Sequence, residues 1–482
     1  MVSHDLESLR VVGSNAMDFR QETVAGLAEQ VAAGKVSSRE LVQHALDRID
    51  ALNGEINAFV AVDGERALEQ AAIVDERIAR GEQVGDLAGI PIGVKDLEDA
   101  AGFATVKGSA VFAGDGPVAA DSALVARLKD AGCIVLGKTN TPELGWTAQT
   151  YNPTFGITRN PWNPAHTPGG SSGGSAAAIA SGMVPLATGS DGGGSIRIPS
   201  ALCGLSGFKP SLGRVPGGGP HPPDWQHLST KGPMARTVGD IALALDEVIG
   251  PDPTDLRSLP MPEASWQGAV DEPHVPMKVA WSPTLGYAEP DAEVRRLCEA
   301  SLRALEALGA EVVEVGTVFD EDPLLPWLTL SSTYNLRTLE AVRGTDAWDN
   351  IDPMLAMLVE RAASFSALDL VNAEDACHRL NVRLVELFHD VRLLVCPVTA
   401  CAAPKCGEAG IVNGAADIAW VKYTYPFNMT RSPAGTVPVG LTADGLPVGL
   451  QLVGPQHGDM VVLRTMAALE ASLGLEALAP IG

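Results

Sequence analysis

No stretch of this 482-residue chain holds the roughly 18 uninterrupted apolar residues that a membrane-spanning helix needs. The opening residues, MVSHDLESLRVVGSNAMDFR, lack both the basic start and the apolar core of a secretory signal. A cytoplasmic protein with no membrane partner is therefore expected. Positive charge is scarce: 34 Lys and Arg face 59 Asp and Glu, a net of −25. That balance opposes nonspecific attachment to nucleic acid, so no nucleic-acid partner is expected. Paired cysteines are missing too. Seven Cys are scattered, and the trio Cys396, Cys401 and Cys406 has an x4 spacing with prolines between, unlike the CxxC pairs of a zinc site. No metal is expected, and the thiols read as free. No internal repeat is present.

What is present is enough apolar residue for a large core: 46% hydrophobic against 19% charged. Periodicity predicts a helix over Ser37–Leu52, with Ser37 and Glu40 as a capping box and Leu41, Val42, Ala45, Leu46 and Ile49 as its apolar stripe. A strand is expected at Asn57–Val62, a helix at Glu65–Arg80, and a buried strand at Leu87–Asp96 ending near Lys95. Helix, glycine turn and strand follow in DSALVARLKDAG–CIVLG, and again around Gly309. This alternation predicts an α/β fold, a central mixed twisted sheet covered by helices on both faces. One domain over 1–482 is expected, with a helical part at 1–80, a core at 85–250, a helix-rich cap or lobe at 285–395, and a return to the sheet at 396–482. The Gly/Pro-rich stretch Gly213–Pro233 is too long for a mere connector and is a candidate functional loop.

Three motif matches fail on mechanism. GCIVLGKT (Gly132–Thr139) spells a phosphate-binding loop, but its middle residues read as a strand that follows a helix. GSSGG (Gly170–Gly174) would make Ser172 a nucleophile-elbow serine, but the preceding NPWNPAHTP cannot be a central strand. SGFK (Ser206–Lys209) would need a helix at Lys209, which Pro210 disfavours.

Two Gly/Ser segments remain, TPGGSSGGSAAAIASG (Thr167–Gly182) and PLATGSDGGGSIRIPS (Pro185–Ser200), flanking a short helix expected at Ser175–Ser181. They sit among core-like runs, so their small residues imply close backbone packing rather than a linker. Asp191-Gly192-Gly193-Gly194-Ser195 can turn several backbone N–H groups toward one point, as an oxyanion hole requires. A nucleophilic serine also needs a base. His166 and His221 lie in loops without a partner motif. Lys95 ends an apolar strand, where desolvation would lower its pKa; the alternative is a structural ion pair with Asp96.

The segments GIPIGVKD, GKTNTPELG, GGSSGGSAAAIASGMVPLATGSDGGGSIRIPS and GFKP, with YPFNMTRSPAGTVPVG and GLPVGLQLVGP downstream, together resemble the amidase signature family. The resemblance implies a Ser-cisSer-Lys amidase without cofactor. By motif position the nucleophile falls on Ser195, the relay serine after a cis peptide on Ser171, and the base on Lys95. The oxyanion donors map to the amides of Gly192, Gly193, Gly194 and Ser195. Asp191 and Arg197 match the loop-bracing pair, with Gly170 and Ser172 in supporting positions. Gly192 stands where many members carry a larger residue, so a looser loop with more room beside the nucleophile is expected. The implied substrates are amides, with carbamates (urethanes) or esters beside them. Trp146, Tyr151 and Trp225 are candidate pocket residues, and a monomer or homodimer is expected. The alternative is the amidase subunit of a tRNA-dependent amidotransferase complex, although Gly217–Arg236 does not resemble the corresponding segment of that protein.

Overall fold

The computed structural model describes residues 17–219 and 222–482; His221 therefore lies outside the described residues. The sequence signals place the first elements closely. The helix Ser38–Ile56 opens on the capping box, with the Ser37 amide donating to Glu40 Oε2 at 2.8 Å and the Glu40 amide to Ser37 Oγ at 3.1 Å. It runs one turn past the expected end and stops at Asn57, which takes a left-handed conformation.

Among the described residues, fifteen strands follow in chain order: β1 (Phe59–Val62), β2 (Pro91–Lys95), β3 (Ile134–Thr139), β4 (Tyr151–Asn152), β5 (Gly156–Ile157), β6 (Leu186–Asp191), β7 (Gly207–Lys209), β8 (Thr230–Ala235), β9 (Lys278–Trp281), β10 (Glu311–Glu314), β11 (Leu393–Pro397), β12 (Gly410–Val412), β13 (Ala415–Asp417), β14 (Ala434–Leu441) and β15 (Pro447–Val453). The expected central sheet is mixed but divided. One part has the order β1-β3-β2-β6-β8, with β2 parallel to both β3 and β6. The other has the order β10-β9-β11-β15-β14-β7, parallel at β10-β9-β11 and antiparallel beyond. The parts abut at β7 and β8, where the Ser206 amide reaches Arg236 O at 3.2 Å. Pro210 ends β7 and Pro233 sits within β8; neither can donate to a ladder, which explains the break.

The first small-residue stretch becomes the helix Gly173–Ala180, every residue of which is buried. It packs against β2, β3 and β6. A Cβ at Gly174 would lie 2.3 Å from the Asn140 amide nitrogen, so the close approach requires glycine there. Ser175 ties the helix to the sheet, its hydroxyl donating to Thr188 O at 2.8 Å. β2 and β6 run side by side and present their carboxyl ends, Lys95 and Asp191, at the same edge. Helices Leu324–Leu339, Pro353–Ala362 and Ala367–Asp390 come from the helix-rich region, and the first of these reaches that edge.

Candidate active site

Lys95 is fully buried at the end of β2. Its amide donates to Thr188 Oγ1 at 2.9 Å, which fixes the strand end against β6. Its amine lies within hydrogen-bond distance of three hydroxyls: Ser171 Oγ and Ser172 Oγ, both at 2.8 Å, and Ser190 Oγ at 3.0 Å. Burial lowers the amine to about 7, against the opposing pull of the Glu98 and Asp191 charges. The ion pair with Asp96, the alternative for this lysine, does not form. Successive residues of an extended chain point to opposite faces. Asp96 instead accepts the Val106 and Gly108 amides, each at 3.1 Å, and lies 3.6 Å from the Lys138 amine. That contact also explains the false phosphate-loop lysine: Lys138 is a buried residue of β3 that donates to Glu98 O and Thr105 Oγ1.

Ser171 follows a cis peptide bond after Gly170. A Cβ at Gly170 would lie 2.9 Å from the Ala148 carbonyl carbon, so the turn tolerates no larger residue. Ser172 is buried at the start of the helix, where its hydroxyl and Ser190 hold the far side of the Lys95 amine. It follows no strand, so the elbow motif is absent.

Ser171 and Ser195 line one narrow cavity of ≈ 50 Å³, together with Ser190, Gly192, Leu144 and Trp225. Ser172 does not line it. Ser195 is partly exposed while its neighbours from Asp191 to Ser200 are buried. Its carbonyl accepts the Ser172 amide at 3.2 Å, which ties the two Gly/Ser segments together.

The loop before Ser195 is braced from within. Asp191 and Arg197 are fully buried and paired, with Arg197 Nη2 donating to Asp191 Oδ1 at 2.8 Å and Nε to Oδ2 at 2.9 Å. Burial pushes the Asp191 carboxyl up, but the Arg197 charge and its hydrogen bonds outweigh that and hold it well below the usual carboxylate range. Arg197 also donates to Thr424 O, Gln451 Oε1 and Asn428 Oδ1. The Gly194 amide, expected among the oxyanion donors, donates to Asp191 Oδ1 at 2.8 Å and so belongs to the brace. Gly192, Gly193 and Ser195 remain as candidate donors.

The expected slack at Gly192 is absent. A Cβ there would lie 2.6 Å from the Trp225 ring, and one at Gly193 would lie 2.5 Å from the Trp327 ring. Two indoles fill the space that missing side chains would leave. Trp327 donates to Gly192 O at 3.0 Å and Trp225 donates to Asn335 Oδ1 at 2.8 Å. The rings meet edge to face at 5.8 Å, and Trp327 stacks on Tyr425 at 5.4 Å. Of the three expected pocket aromatics, only Trp225 lines this cavity. Trp146 packs near Leu144, Leu339 and Ile351 instead, and Tyr151 lies in the β4–β5 hairpin. His166 is held away from the serines by its contact with Ala403 O at 2.6 Å.

Sequence reasoning missed Ser190, Trp327, Asn335, Asn428 and Gln451. Asn428 and Gln451 do lie inside the two C-terminal segments that carried the family resemblance. The cavity wall also holds two ion pairs, Lys231–Glu98 at 2.7 Å and Lys107–Asp224 at 3.6 Å.

The Amidase family model matches residues 40–463. An acylamidase of Rhodococcus erythropolis is 37% identical over 461 residues, covering 92% of this chain and 94% of that protein. A glutamyl-tRNA(Gln) amidotransferase component of Synechococcus sp. (strain CC9605) is 34% identical over 471 residues, covering 91% of this chain and 94% of that protein. The crystal structure of a bacterial aryl acylamidase of the amidase signature family superposes with a TM-score of 0.88 at 30% identity, covering 94% of this chain and 96% of that one.

Proposed function

The chain belongs to the Amidase family and is a hydrolase acting on amides, and we propose that it works through an acyl-enzyme on Ser195. The observation that carries this reading is the Lys95 amine, buried, lowered to about 7, and bonded to three hydroxyls with no carboxylate partner among the described residues. An uncharged amine takes the Ser171 proton while Ser171 Oγ takes the proton of Ser195. Ser195 Oγ then bonds to the substrate carbonyl carbon, and the carbonyl π pair moves to oxygen. The amides of Gly192, Gly193 and Ser195 face that developing charge; one such donor is worth about 10²–10³ in rate. As the C–N bond breaks, the relay returns a proton to the departing nitrogen. Water then attacks the acyl carbon as the relay takes its proton, the bond from that carbon to Ser195 Oγ breaks, the relay returns the proton through Ser171 to Ser195 Oγ, the carboxylic acid departs, and Lys95 ends neutral.

The substrate we propose is a small amide with a slender acyl group, because Trp225 and Trp327 crowd the loop beside Ser195. A carbamate or ester offers the same electrophile and enters the same scheme. Hydrolysis of p-nitroanilides, primary amides and aryl carbamates by wild type, beside Ser195→Ala and Lys95→Ala, tests the reading. Full activity in purified Ser195→Ala refutes it. The likeness to the amidotransferase component favours a second reading, a partner-dependent amidase. Glutaminase activity seen only after a second protein co-purifies distinguishes it.

A further inference from the structure

The helix Ala367–Asp390 carries two apolar stripes where a surface helix of one protomer needs one. The first faces inward through Ala373, Ala376, Leu380 and Leu384, all buried. The second lies two residues out of step, on the opposite side. Leu368 is 66% exposed, Val371 48%, Val382 40% and Val385 51%. Between them on the same line stand exposed Asp375 and His378. The six positions 368, 371, 375, 378, 382 and 385 are spaced 3-4-3-4-3, the seam of a two-stranded coiled coil. Single exposed apolar residues need no explanation, but four on one seam do.

The seam is complementary to itself in one orientation only. A second copy laid antiparallel, about a twofold axis between Ala376 and Cys377, sets Leu368 against Val385 of the partner subunit. It sets Val371 against Val382 of the partner subunit, and Asp375 against His378 of the partner subunit. Every layer is then apolar on apolar or acid on imidazole. By contrast, a parallel pairing in register would stack Asp375 on Asp375 of the partner subunit. We propose that this face pairs two copies of the chain through an isologous antiparallel helix contact. The six seam residues are far fewer than the roughly 20–30 residues a side of a standard interface, so the pair dissociates on dilution.

Sedimentation equilibrium over concentrations on the order of 1 to 100 μM tests this. Wild type is expected to move from the mass of two chains toward that of one across the series. Val371→Glu with Val382→Glu is expected to give one chain throughout, with hydrolytic activity retained as the check that it folds. Asp375→His alone sets imidazole against imidazole and weakens the pair. Adding His378→Asp restores opposite partners in every layer and is expected to restore the dimer. A single-chain mass for wild type at every concentration overturns the proposal. So does a dimer that survives the paired glutamates, or one that the Asp375/His378 exchange fails to restore.

Discussion

The Lys95 amine lies 2.8 Å from Ser171 Oγ and is bonded to no carboxylate among the described residues. Burial lowers it to about 7, so the amine is protonated below that pH and neutral above it. In the proposed relay only the neutral form accepts the Ser171 proton. Amide hydrolysis measured as kcat/KM should therefore rise with pH through about 7 and level off above it. Stability follows the same group. An unfolded chain keeps this lysine protonated up to about 10.4, so between about 7 and 10.4 it binds more protons than the native state. On this group's account stability rises with pH across that window. Lys95→Met should lose that contribution along with the activity, as urea unfolding at several pH values checks.

Ser171 and Ser172 share the amine but not the cavity. In the proposed relay Ser171→Ala removes the link between the Lys95 amine and Ser195 and should lower kcat by at least about 10³, the scale of losing a member of a catalytic triad. Ser172→Ala removes the bond to the Lys95 amine and two longer ones to the Ser190 backbone, each worth about 1 kcal/mol to stability, but leaves the amine joined to Ser171, and should cost kcat about tenfold or less. Steady-state kinetics on one anilide decides; equal losses contradict the relay.

Arg197 is, among the described residues, the one cation bonded to the buried Asp191 carboxylate. Arg197→Met leaves that charge unpaired and should destabilise the fold by about 3–5 kcal/mol, seen as an earlier urea midpoint. Arg197→Lys should recover only part, since one ammonium cannot reproduce the guanidinium fork that reaches Asp191, Thr424, Asn428 and Gln451.

Gly192 and Trp225 occupy one space. Gly192→Ala should reduce activity by displacing the indole or the loop. Trp225→Ala should widen the cavity and favour bulkier anilides. The double variant should recover activity lost in Gly192→Ala, a non-additivity read from the cycle of kcat/KM values. Independent effects contradict the packing.

Much of the fold was legible because local signals agreed with it: the capping box at Ser37, the strand ending at Lys95, the glycine turns at Gly132 and Gly309. The Gly/Ser segments were legible because close packing demands an unusual composition. The braces were not. Trp327 reaches Gly192 across 135 residues, and Asn428 and Gln451 reach Arg197 across 231 and 254. Each is an ordinary residue type in its own segment, and only the folded chain reveals its partner. The role of Gly192 was misread for the same reason. A glycine suggests slack until distant aromatic rings are seen to need its missing side chain. The division of the sheet depended on where Pro210 and Pro233 fell relative to their neighbours, which a linear reading does not give.

The proposed relay requires a Lys95 amine that loses its proton near pH 7. A direct measurement is the titration of the Lys95 side chain by NMR in Ser195→Ala protein carrying lysine labelled at Cε, assigned by the loss of its signal in Lys95→Met. The expected result is a single titration centred near 7. A signal that stays in the ammonium position to above about pH 10, as for a solvated lysine, contradicts it.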